Sequence, residues 1–259
     1  CDDLGSERGF WGNVGSEMGK LTDQVAVVTG ASKGIGLAIC RAFAAEGANL
    51  VLAARDEKAL SEAAIQLRQL GTKIVTQPTD VSDAQHVARL FATTDEAFGR
   101  IDLLVNNAGA FDGGPLENLS SEDWQKVIGT NLTGPFLCTQ QALRRMKPAG
   151  GGRIINIGSI SAQRVRPNSA AYSSSKFGIW GLTQVTALEG RAHGITCCCL
   201  HPGNTFVERR ATELPEDAEP MISAESIAEV ALLMATLPPD AAMLEAIVLP
   251  REQLYVGRG

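Results

Sequence analysis

Short apolar segments alternate with longer amphipathic ones along most of the chain, and this alternation predicts strands separated by helices. The short segments are rich in Val, Ile and Leu, as strands buried on both faces of a sheet require. The predicted strands are Val25–Val28, Asn49–Ala53, Lys73–Gln77, Ile101–Asn106, Arg153–Ile157, Thr196–Leu200 and Glu245–Leu249. The segments between them carry one polar and one apolar face, which is typical of helices packed against a sheet.

The helices are predicted over about 34–46, 56–70, from Ser82 or Asp83 to Phe98, from Ser120 through an interruption near 129–134, over 170–191, and from Ser223 to Thr236. Repeated strand–helix units predict an α/β fold, a doubly wound three-layer sandwich with a mainly parallel seven-stranded sheet. No linker divides residues 21–259, so we expect a single domain there. Residues 1–20 are glycine-rich and polar, and we expect a flexible N-terminal extension.

Glycine or polar residues follow four of the predicted strands. These clusters are the glycine turn after Val28, the run Asn106–Gly109, Ser159, and Pro202 with Gly203. Ligands of open α/β sheets bind at the carboxyl ends of the strands. The sequence therefore predicts a binding site along that edge.

The glycine turn has the spacing G-x-x-x-G-x-G, formed by Gly30, Gly34 and Gly36. Glycine permits positive φ and lets backbone approach a ligand closely. The helix that begins near Gly34 directs its free N–H groups at such a ligand, which favours a phosphate. A tight turn without a ligand is the alternative interpretation of these glycines alone.

Composition and charge exclude several functional classes. The 259 residues carry a formal net charge of −6 with both signs interspersed, so no basic stripe indicates nucleic acid. We find no apolar run of the ~20 residues that a membrane span needs. Three of the six cysteines are adjacent, Cys197 to Cys199, which fits neither a disulfide framework nor a zinc site. We expect reduced, buried thiols, no metal site and a cytoplasmic location.

Tyr172 and Lys176 are the first candidates for chemistry. They are four residues apart on a predicted helix, so their side chains share a face. A lysine ammonium held near a phenol stabilises the phenolate, which helps a tyrosine to exchange a proton near neutral pH. A solvated tyrosine beside an unrelated lysine is the alternative.

Six motifs in order strengthen the catalytic interpretation. They are TGASKGIG at Thr29–Gly36, NNAG at Asn106–Gly109, Asn131 in NLTG, Ser159 in IGS, YSSSK at Tyr172–Lys176, and PG at Pro202. Together they resemble the short-chain dehydrogenase/reductase family in its single-domain Rossmann form. The resemblance extends over roughly residues 21–250 and is specific for the family, not for a substrate.

The resemblance implies a role for each catalytic candidate. Tyr172 is expected to be the general acid in reduction and the base in oxidation. Lys176 is expected to bind the nicotinamide ribose and to act on the tyrosine. Ser159 is expected to hydrogen-bond the substrate oxygen. Asn131 is expected to hold a water in a proton relay to Lys176.

The resemblance also implies a nicotinamide cofactor, which carries the hydride while the protein supplies the proton. The expected cofactor-binding residues are Gly30, Ser32, Lys33, Gly34, Ile35, Gly36, Arg55, Asp80, Val81, Asn107, Ala108, Gly109, Tyr172, Lys176, Pro202, Gly203 and Thr205. Asp80 and Val81 are expected near adenine, although Asp80 is also a good turn or cap residue. Asn106–Gly109 should support the sheet and lie beside the adenosine part of the cofactor.

The end of the second strand favours NADP(H) over NAD(H). Members of the family that prefer NAD usually carry an acid there to bind the ribose hydroxyls. This chain has Ala54 at that position, followed by Arg55, whose guanidinium suits a 2′-phosphate. Lys33 in the glycine turn adds a second positive charge, unless both are simply surface residues.

The substrate side departs from the usual pattern. Val207 stands where the family often has a threonine that contacts the carboxamide, and Thr205 is the expected substitute. We expect Ala110–Leu116, Ile160–Asn168 and Asn204–Ile222 to form the pocket wall, with an apolar character from Phe111, Leu116, Val165, Phe206 and Val207. Arg164 and Arg166 are either solvated or bind an acidic group.

The sequence thus predicts an NADP(H)-dependent oxidoreductase that reduces a ketone, an aldehyde or a 3-oxoacyl thioester to an alcohol. An NAD-dependent alcohol or sugar dehydrogenase is the alternative within the class. A cofactor-sensing protein without turnover is the alternative outside it. The expected partners are a small molecule and further copies of the chain, as a tetramer or dimer, without nucleic acid or membrane.

Overall fold

Seven strands form one sheet at the centre of the structure, a computed structural model that describes residues 19–206 and 219–255. The strands are β1 (Val25–Thr29), β2 (Asn49–Ala54), β3 (Ile74–Pro78), β4 (Leu103–Asn106), β5 (Gly152–Ile157), β6 (Ile195–Pro202) and β7 (Glu245–Val248). They lie in the order β3-β2-β1-β4-β5-β6-β7, and every neighbouring pair is parallel. The sequence predicted a mainly parallel sheet of seven strands, and this is confirmed.

Seven α-helices cover the two faces of the sheet within the described ranges. They are α1 (Gly34–Ala45), α2 (Glu57–Arg68), α3 (Ala84–Phe98), α4 (Ser121–Ile128), α5 (Gly134–Ala149), α6 (Ala170–Gly190) and α7 (Ala224–Thr236). Helices α1, α2 and α7 share one apolar cluster with the sheet, and α3 and α5 share the other. The predicted doubly wound, three-layer sandwich is therefore confirmed.

Side-chain caps explain where most of the helices begin. The N-cap residues Asp56, Asp83, Ser120 and Ser223 each accept a backbone N–H from the first turn. Of the two caps considered for α3, the structure uses Asp83. In the described part of the chain no side chain caps α1, whose N-cap is Lys33. The first N–H groups of α1 therefore have no side-chain acceptor.

The long helix after Ser120 is interrupted where the sequence predicted. Helix α4 continues into a π-helical turn, Gly129–Thr133, before α5 begins. Pro135 lacks an N–H, so the carbonyl of Asn131 cannot receive the usual bond from the residue four positions on. The missing bond accounts for the change in winding.

The cysteines of β6 are small buried side chains, as predicted. Cys197, Cys198 and Cys199 are free thiols and almost fully buried. Burial raises the pKa of Cys198 and of Cys199 to about 12, so neither forms a thiolate readily. Cys198 packs in the apolar cluster on one face of the sheet and Cys197 in the cluster on the other.

Some expectations lie outside what the structure tests. Residues 1–18 and Val207 are not among the described residues. The N-terminal extension, the domain division and the expected replacement of Val207 by Thr205 at the carboxamide therefore stay predictions. Within the described ranges, no helix is long and apolar enough to cross a membrane.

Candidate active site

A cleft of about 1250 Å³ runs along the carboxyl edge of the sheet. It is bordered by the segments that follow β1 to β6. The predicted residues that line it are Gly30, Ser32, Lys33, Gly34, Ile35, Arg55, Asp80, Val81, Asn107, Ala108, Gly109, Ser159, Tyr172, Lys176, Pro202, Gly203 and Thr205. Two predicted residues, Gly36 and Asn131, are not part of the lining but contact residues that are.

The three glycines of the turn after β1 meet two different requirements. Gly30 and Gly34 have φ values of +64° and +54°, which side chains rarely adopt. A Cβ at Gly36 would lie 2.2 Å from the Gly30 carbonyl oxygen and 2.4 Å from Asn107 Nδ2. Gly36 is therefore needed for close packing, while the first two glycines shape the turn.

The turn is tied to the end of β4 by hydrogen bonds as well as by contact. Thr29 Oγ1 accepts the N–H groups of Asn107 and Ala108, both at 3.0 Å. Asn107 Nδ2 donates to the carbonyls of Thr29 at 2.9 Å and of Gly30 at 3.1 Å. These bonds hold two walls of the cleft at a fixed separation.

The start of α1 fits a phosphate-bearing cofactor. Its first N–H groups meet the cleft at Lys33, Gly34 and Ile35 and are uncapped within the described residues. Gly30 and Gly36 let the turn pack directly against Asn107, since a Cβ at either glycine would lie within 3 Å of Asn107 Nδ2. A helix N-terminus of this kind carries positive partial charge and free donors, which suit a pyrophosphate.

Two cations flank the end of β2. Ala54 ends the strand, and Arg55 follows it in the lining of the cleft, where Lys33 also lies. Asp80 Oδ1 accepts the N–H of Ser82 at 2.9 Å and its hydroxyl at 2.6 Å. Partial burial of Asp80 opposes ionisation, but these bonds from Ser82 and the charge of Arg55 hold its pKa below its ordinary value. The Asp80 carboxylate thus shapes the local turn.

Tyr172 and Lys176 face the same cleft from α6, as their spacing predicts. Lys176 is 6% exposed, and its Nζ lies 5.6 Å from the centre of the Tyr172 ring. Lys176 Nζ also donates to the carbonyl of Ile157, at the end of β5, at 2.8 Å. Phe111 packs edge-on against the Tyr172 ring, with centroids 5.2 Å apart. The phenol is held between an ammonium and an apolar ring.

Ser159 lies just beyond β5, and backbone and side-chain contacts fix it. Its Oγ accepts the N–H of Ser161 at 3.1 Å, and its backbone is extended. Its backbone N–H donates to Nδ1 of His201 at 3.2 Å. His201 was not among the residues predicted from the sequence. Its place immediately before the PG motif, at the end of a strand that borders the site, was the available signal.

Asn131 lies in the π-helical turn and is 2% exposed. Its Oδ1 accepts the N–H of Ala110 at 2.7 Å, and its Nδ2 donates to the Ala110 carbonyl at 2.9 Å. The same nitrogen donates to Ser175 Oγ at 3.1 Å. Asn131 therefore joins the loop after β4 to helix α6, which carries Tyr172 and Lys176.

The substrate end of the cleft differs in part from the predicted wall. Phe111, Val165 and Thr205 line it, but of the described residues Leu116 and Phe206 do not. The wall also includes a C-terminal segment that was not predicted, Gln253–Tyr255. Gln253 Oε1 accepts the N–H of Asn204 at 2.9 Å, which draws this segment onto the loop after β6. No local pattern marks such a long-range contact.

Comparison with known proteins establishes the class. The family model described as short chain dehydrogenase matches residues 24–217, well over half of the chain. The chain belongs to the short-chain dehydrogenase/reductase family. It is therefore an oxidoreductase that acts on an alcohol or carbonyl group with NAD or NADP.

Individual relatives span several substrates. A 3-oxoacyl-(acyl-carrier-protein) reductase of Synechocystis sp. is 39% identical over 208 residues, covering 79% of this chain and 82% of that protein. A 3beta-hydroxysteroid dehydrogenase of Mediterraneibacter gnavus is 36% identical over 201 residues, covering 76% of this chain and 72% of that protein. The crystal structure of a metagenomic short-chain oxidoreductase in complex with NADP is 34% identical, with a TM-score of 0.79 over 89% of this chain and 98% of that one.

Proposed function

We propose that this protein is an NADP(H)-dependent reductase of hydrophobic ketones or aldehydes. The observation that carries the proposal is the meeting of Ser159, Tyr172 and Lys176 in one cleft with the glycine turn and two cations. The nicotinamide cofactor supplies the hydride when bound. The chain supplies the proton, the hydrogen bonds to the carbonyl oxygen and the walls that exclude water.

In the proposed reduction the Tyr172 hydroxyl gives its proton to the substrate oxygen. The Ser159 hydroxyl donates a hydrogen bond to the same oxygen and stabilises the charge that develops there. Lys176 stabilises the resulting phenolate, since its ammonium is nearly buried beside the ring. In the reverse direction the same groups act as base and acceptor.

We assign the proton relay to the backbone of Asn131. Its side-chain oxygen and nitrogen already bond to Ala110 and Ser175. Its carbonyl lacks the usual α-helical donor because Pro135 has no N–H. We therefore propose that this carbonyl holds the water that passes a proton to Lys176.

Replacing Tyr172 with Phe should lower kcat by roughly 10²- to 10⁴-fold, because the proton donor is lost. The ring remains, so its packing against Phe111 and the binding of NADPH should change little. Lys176→Ala should weaken both turnover and cofactor binding. Steady-state rates and fluorescence titration of NADPH measure the two effects. A Tyr172→Phe enzyme that keeps most of its rate would show that another group donates the proton.

The preference for NADP(H) rests on the charges at the end of β2. Ala54 provides no carboxylate for ribose hydroxyls, whereas Arg55 and Lys33 both line the cleft. A guanidinium forms charge-assisted, bidentate bonds with a phosphate. An NAD-dependent dehydrogenase stays the alternative, and the absent acid at Ala54 disfavours it.

NADPH should bind more tightly than NADH by ~1–3 kcal/mol, the range of a charge-assisted contact. Arg55→Ala should remove most of this difference by weakening NADPH binding alone. Arg191→Ala is a matched control, since Arg191 is exposed in the turn after α6, at the opposite edge of the sheet. Titration of both cofactors by fluorescence tests this. Equal affinities in the wild type would refute the assignment.

The substrate end of the cleft contains several apolar side chains, which favour a neutral carbonyl compound. Phe111, Val165 and Leu254 line it, and the two arginines there lie over aromatic rings. Arg166 is 5.5 Å from the centre of Phe111, and Arg164 is 5.2 Å from the centre of Tyr255. A 3-oxoacyl thioester is the rival substrate, since either arginine has the charge to meet a phosphate.

Rates on a hydrophobic ketone and on a 3-oxoacyl thioester should separate these substrates. We expect a higher kcat/KM for the ketone, and a similar ratio of the two rates in Arg164→Ala combined with Arg166→Ala. The ratio is the informative quantity, because loss of the arginine–ring contacts also affects the wall itself. Arg191→Ala again serves as the control. A thioester preference that collapses in the double variant would overturn the choice of substrate.

We also propose a homo-oligomer formed through the outer faces of α5 and α6. Phe136, Phe177, Val185 and Leu188 expose between 46% and 63% of their surface there. Grouped apolar side chains of this size are typical of surfaces that bind another protein. Two copies of the same surface can cover each other across a two-fold axis.

Light scattering at micromolar concentration should give the mass of a dimer or tetramer. Val185→Glu with Leu188→Glu should shift the protein to smaller species, since each glutamate would be buried without a partner. Glu62 lies on the exposed face of α2, so Glu62→Gln should leave the mass unchanged. A wild-type monomer would refute the proposal.

A further inference from the structure

His201 lies directly behind Ser159 and has no other assigned role. It is fully buried near the end of β6, and its Nδ1 lies 3.2 Å from the backbone nitrogen of Ser159 and 2.9 Å from its oxygen. A Cβ at Gly158 would lie 2.5 Å from the same Nδ1. Trp180 packs edge-on against the other side of the ring, at 6.0 Å between centroids. The imidazole therefore packs closely against the backbone of Gly158 and Ser159.

Two neighbours act on the position of the His201 proton: the Glu245 carboxylate near Nε2 and the Ser159 backbone near Nδ1. His201 Nε2 is 3.3 Å from Glu245 Oε1, a distance of electrostatic attraction although the pair is not aligned as a hydrogen bond. A proton on Nε2 turns a polar N–H bond toward the Glu245 carboxylate. It leaves the Nδ1 lone pair free to accept the Ser159 N–H. A proton on Nδ1 would donate to the Ser159 carbonyl, whose oxygen is 2.9 Å from Nδ1. It would also leave the Ser159 N–H without its acceptor and turn the bare Nε2 lone pair toward the Glu245 carboxylate. A lone pair that faces a carboxylate is opposed by a full negative charge, whereas one that faces a carbonyl is opposed only by a dipole, so this comparison favours the proton on Nε2.

The carboxylate of Glu245 is itself fixed by neighbouring groups. Gln163 Nε2 donates to Glu245 Oε1, and the Tyr255 hydroxyl donates to Gln163 Oε1. The chain of contacts thus runs from the C-terminal segment, through the turn after β5 and through β7, to the serine. Each member orients the next, and His201 touches Ser159.

We propose that His201 is a positioning residue for Ser159: its Nε2–H tautomer, held by Glu245, anchors the serine N–H so that the hydroxyl stays aimed at the substrate oxygen. This inference rests on the proposed catalytic role of Ser159. With the N–H held by His201 and Oγ accepting from Ser161, the serine is fixed at two atoms and its O–H remains to donate.

Burial keeps His201 neutral near pH 7. Burial lowers its pKa; the Ser159 backbone and Glu245 on β7 oppose this, and Lys176 on α6 adds to it. Cys199 on β6 also faces this region, but its raised pKa keeps it an uncharged thiol. An unfolded histidine titrates near 6.5. Because the pKa of folded His201 lies below that value, Nδ1 gains a proton only when the pH is lower than 6.5. That proton would end the acceptance of the Ser159 N–H, so turnover should fall in this lower pH range.

The test compares His201→Leu with His201→Asn in the full chain. Leu fills space without an acceptor, whereas the Asn amide oxygen stands close to the position of Nδ1. His201→Leu should lower kcat about tenfold, the effect of one hydrogen bond, with the Kd for NADPH changed less than twofold. His201→Asn should restore most of kcat and remove the acid-side loss of activity. Wild-type kcat in a folded His201→Leu enzyme would overturn the proposal.

Nitrogen-15 NMR of the imidazole rings gives a readout that does not depend on turnover. The chain has three histidines, so His86→Gln and His193→Gln assign the other two signals. We expect His201 to be the Nε2–H tautomer at pH 7.5 and to lose that preference in Glu245→Gln. An Nδ1–H tautomer in the wild type would refute the inference, even where His201→Leu fails to fold.

The two proposals fail in different ways. If the wild type reduces carbonyl compounds and Ser159→Ala impairs it, the proposed function stands, whatever the His201 variants do. If no carbonyl compound is reduced, the proposed function fails, while the tautomer and its response to Glu245→Gln still decide whether His201 anchors Ser159.

Discussion

The close contact between the glycine turn and the end of β4 is the constraint on which the rest of the site depends. Gly36 approaches the Gly30 carbonyl and Asn107 so closely that no Cβ fits. Thr29 and Asn107 then bond the two segments together. This packing sets the helix α1 N-terminus against the sheet, so the glycine turn and the Tyr172 side chain border the same cleft.

A buried polar chain below the cleft holds helix α6 in register with the sheet. Asn106 Nδ2 donates to Asn156 Oδ1 at 2.8 Å, and Asn156 Nδ2 donates to Thr183 Oγ1 at 2.9 Å. Groups of this kind are costly to bury without partners, so each one specifies the position of the next. Because Thr183 lies on the same helix as Tyr172 and Lys176, these bonds help to fix the turn of α6 that faces the cleft.

Much of the fold and part of the site were predictable because their causes are local. Apolar periodicity predicts the strands and helices to within a few residues, and cap residues such as Ser120 and Ser223 mark where helices begin. The spacing of Gly30, Gly34 and Gly36 predicts the turn after β1. The four-residue spacing of Tyr172 and Lys176 brings both into the cleft as soon as one of them faces it. Proline at position 135 accounts for the interruption near Asn131.

Tertiary structure alone decided the contacts between segments distant in the chain. His201 meets Ser159 across 42 residues, and Tyr255 meets Gln163 across 92. The order of the strands, the placing of Gln253–Tyr255 in the wall and the exclusion of Leu116 from it arise in the same way. A residue's periodicity and its neighbours fix its secondary structure, but its partner across the sheet depends on how every intervening element packs. The order of residues was therefore enough to predict the class of protein and the glycine turn. The contact of His201 with Ser159 and the place of Gln253–Tyr255 in the cleft wall depended on how distant segments pack.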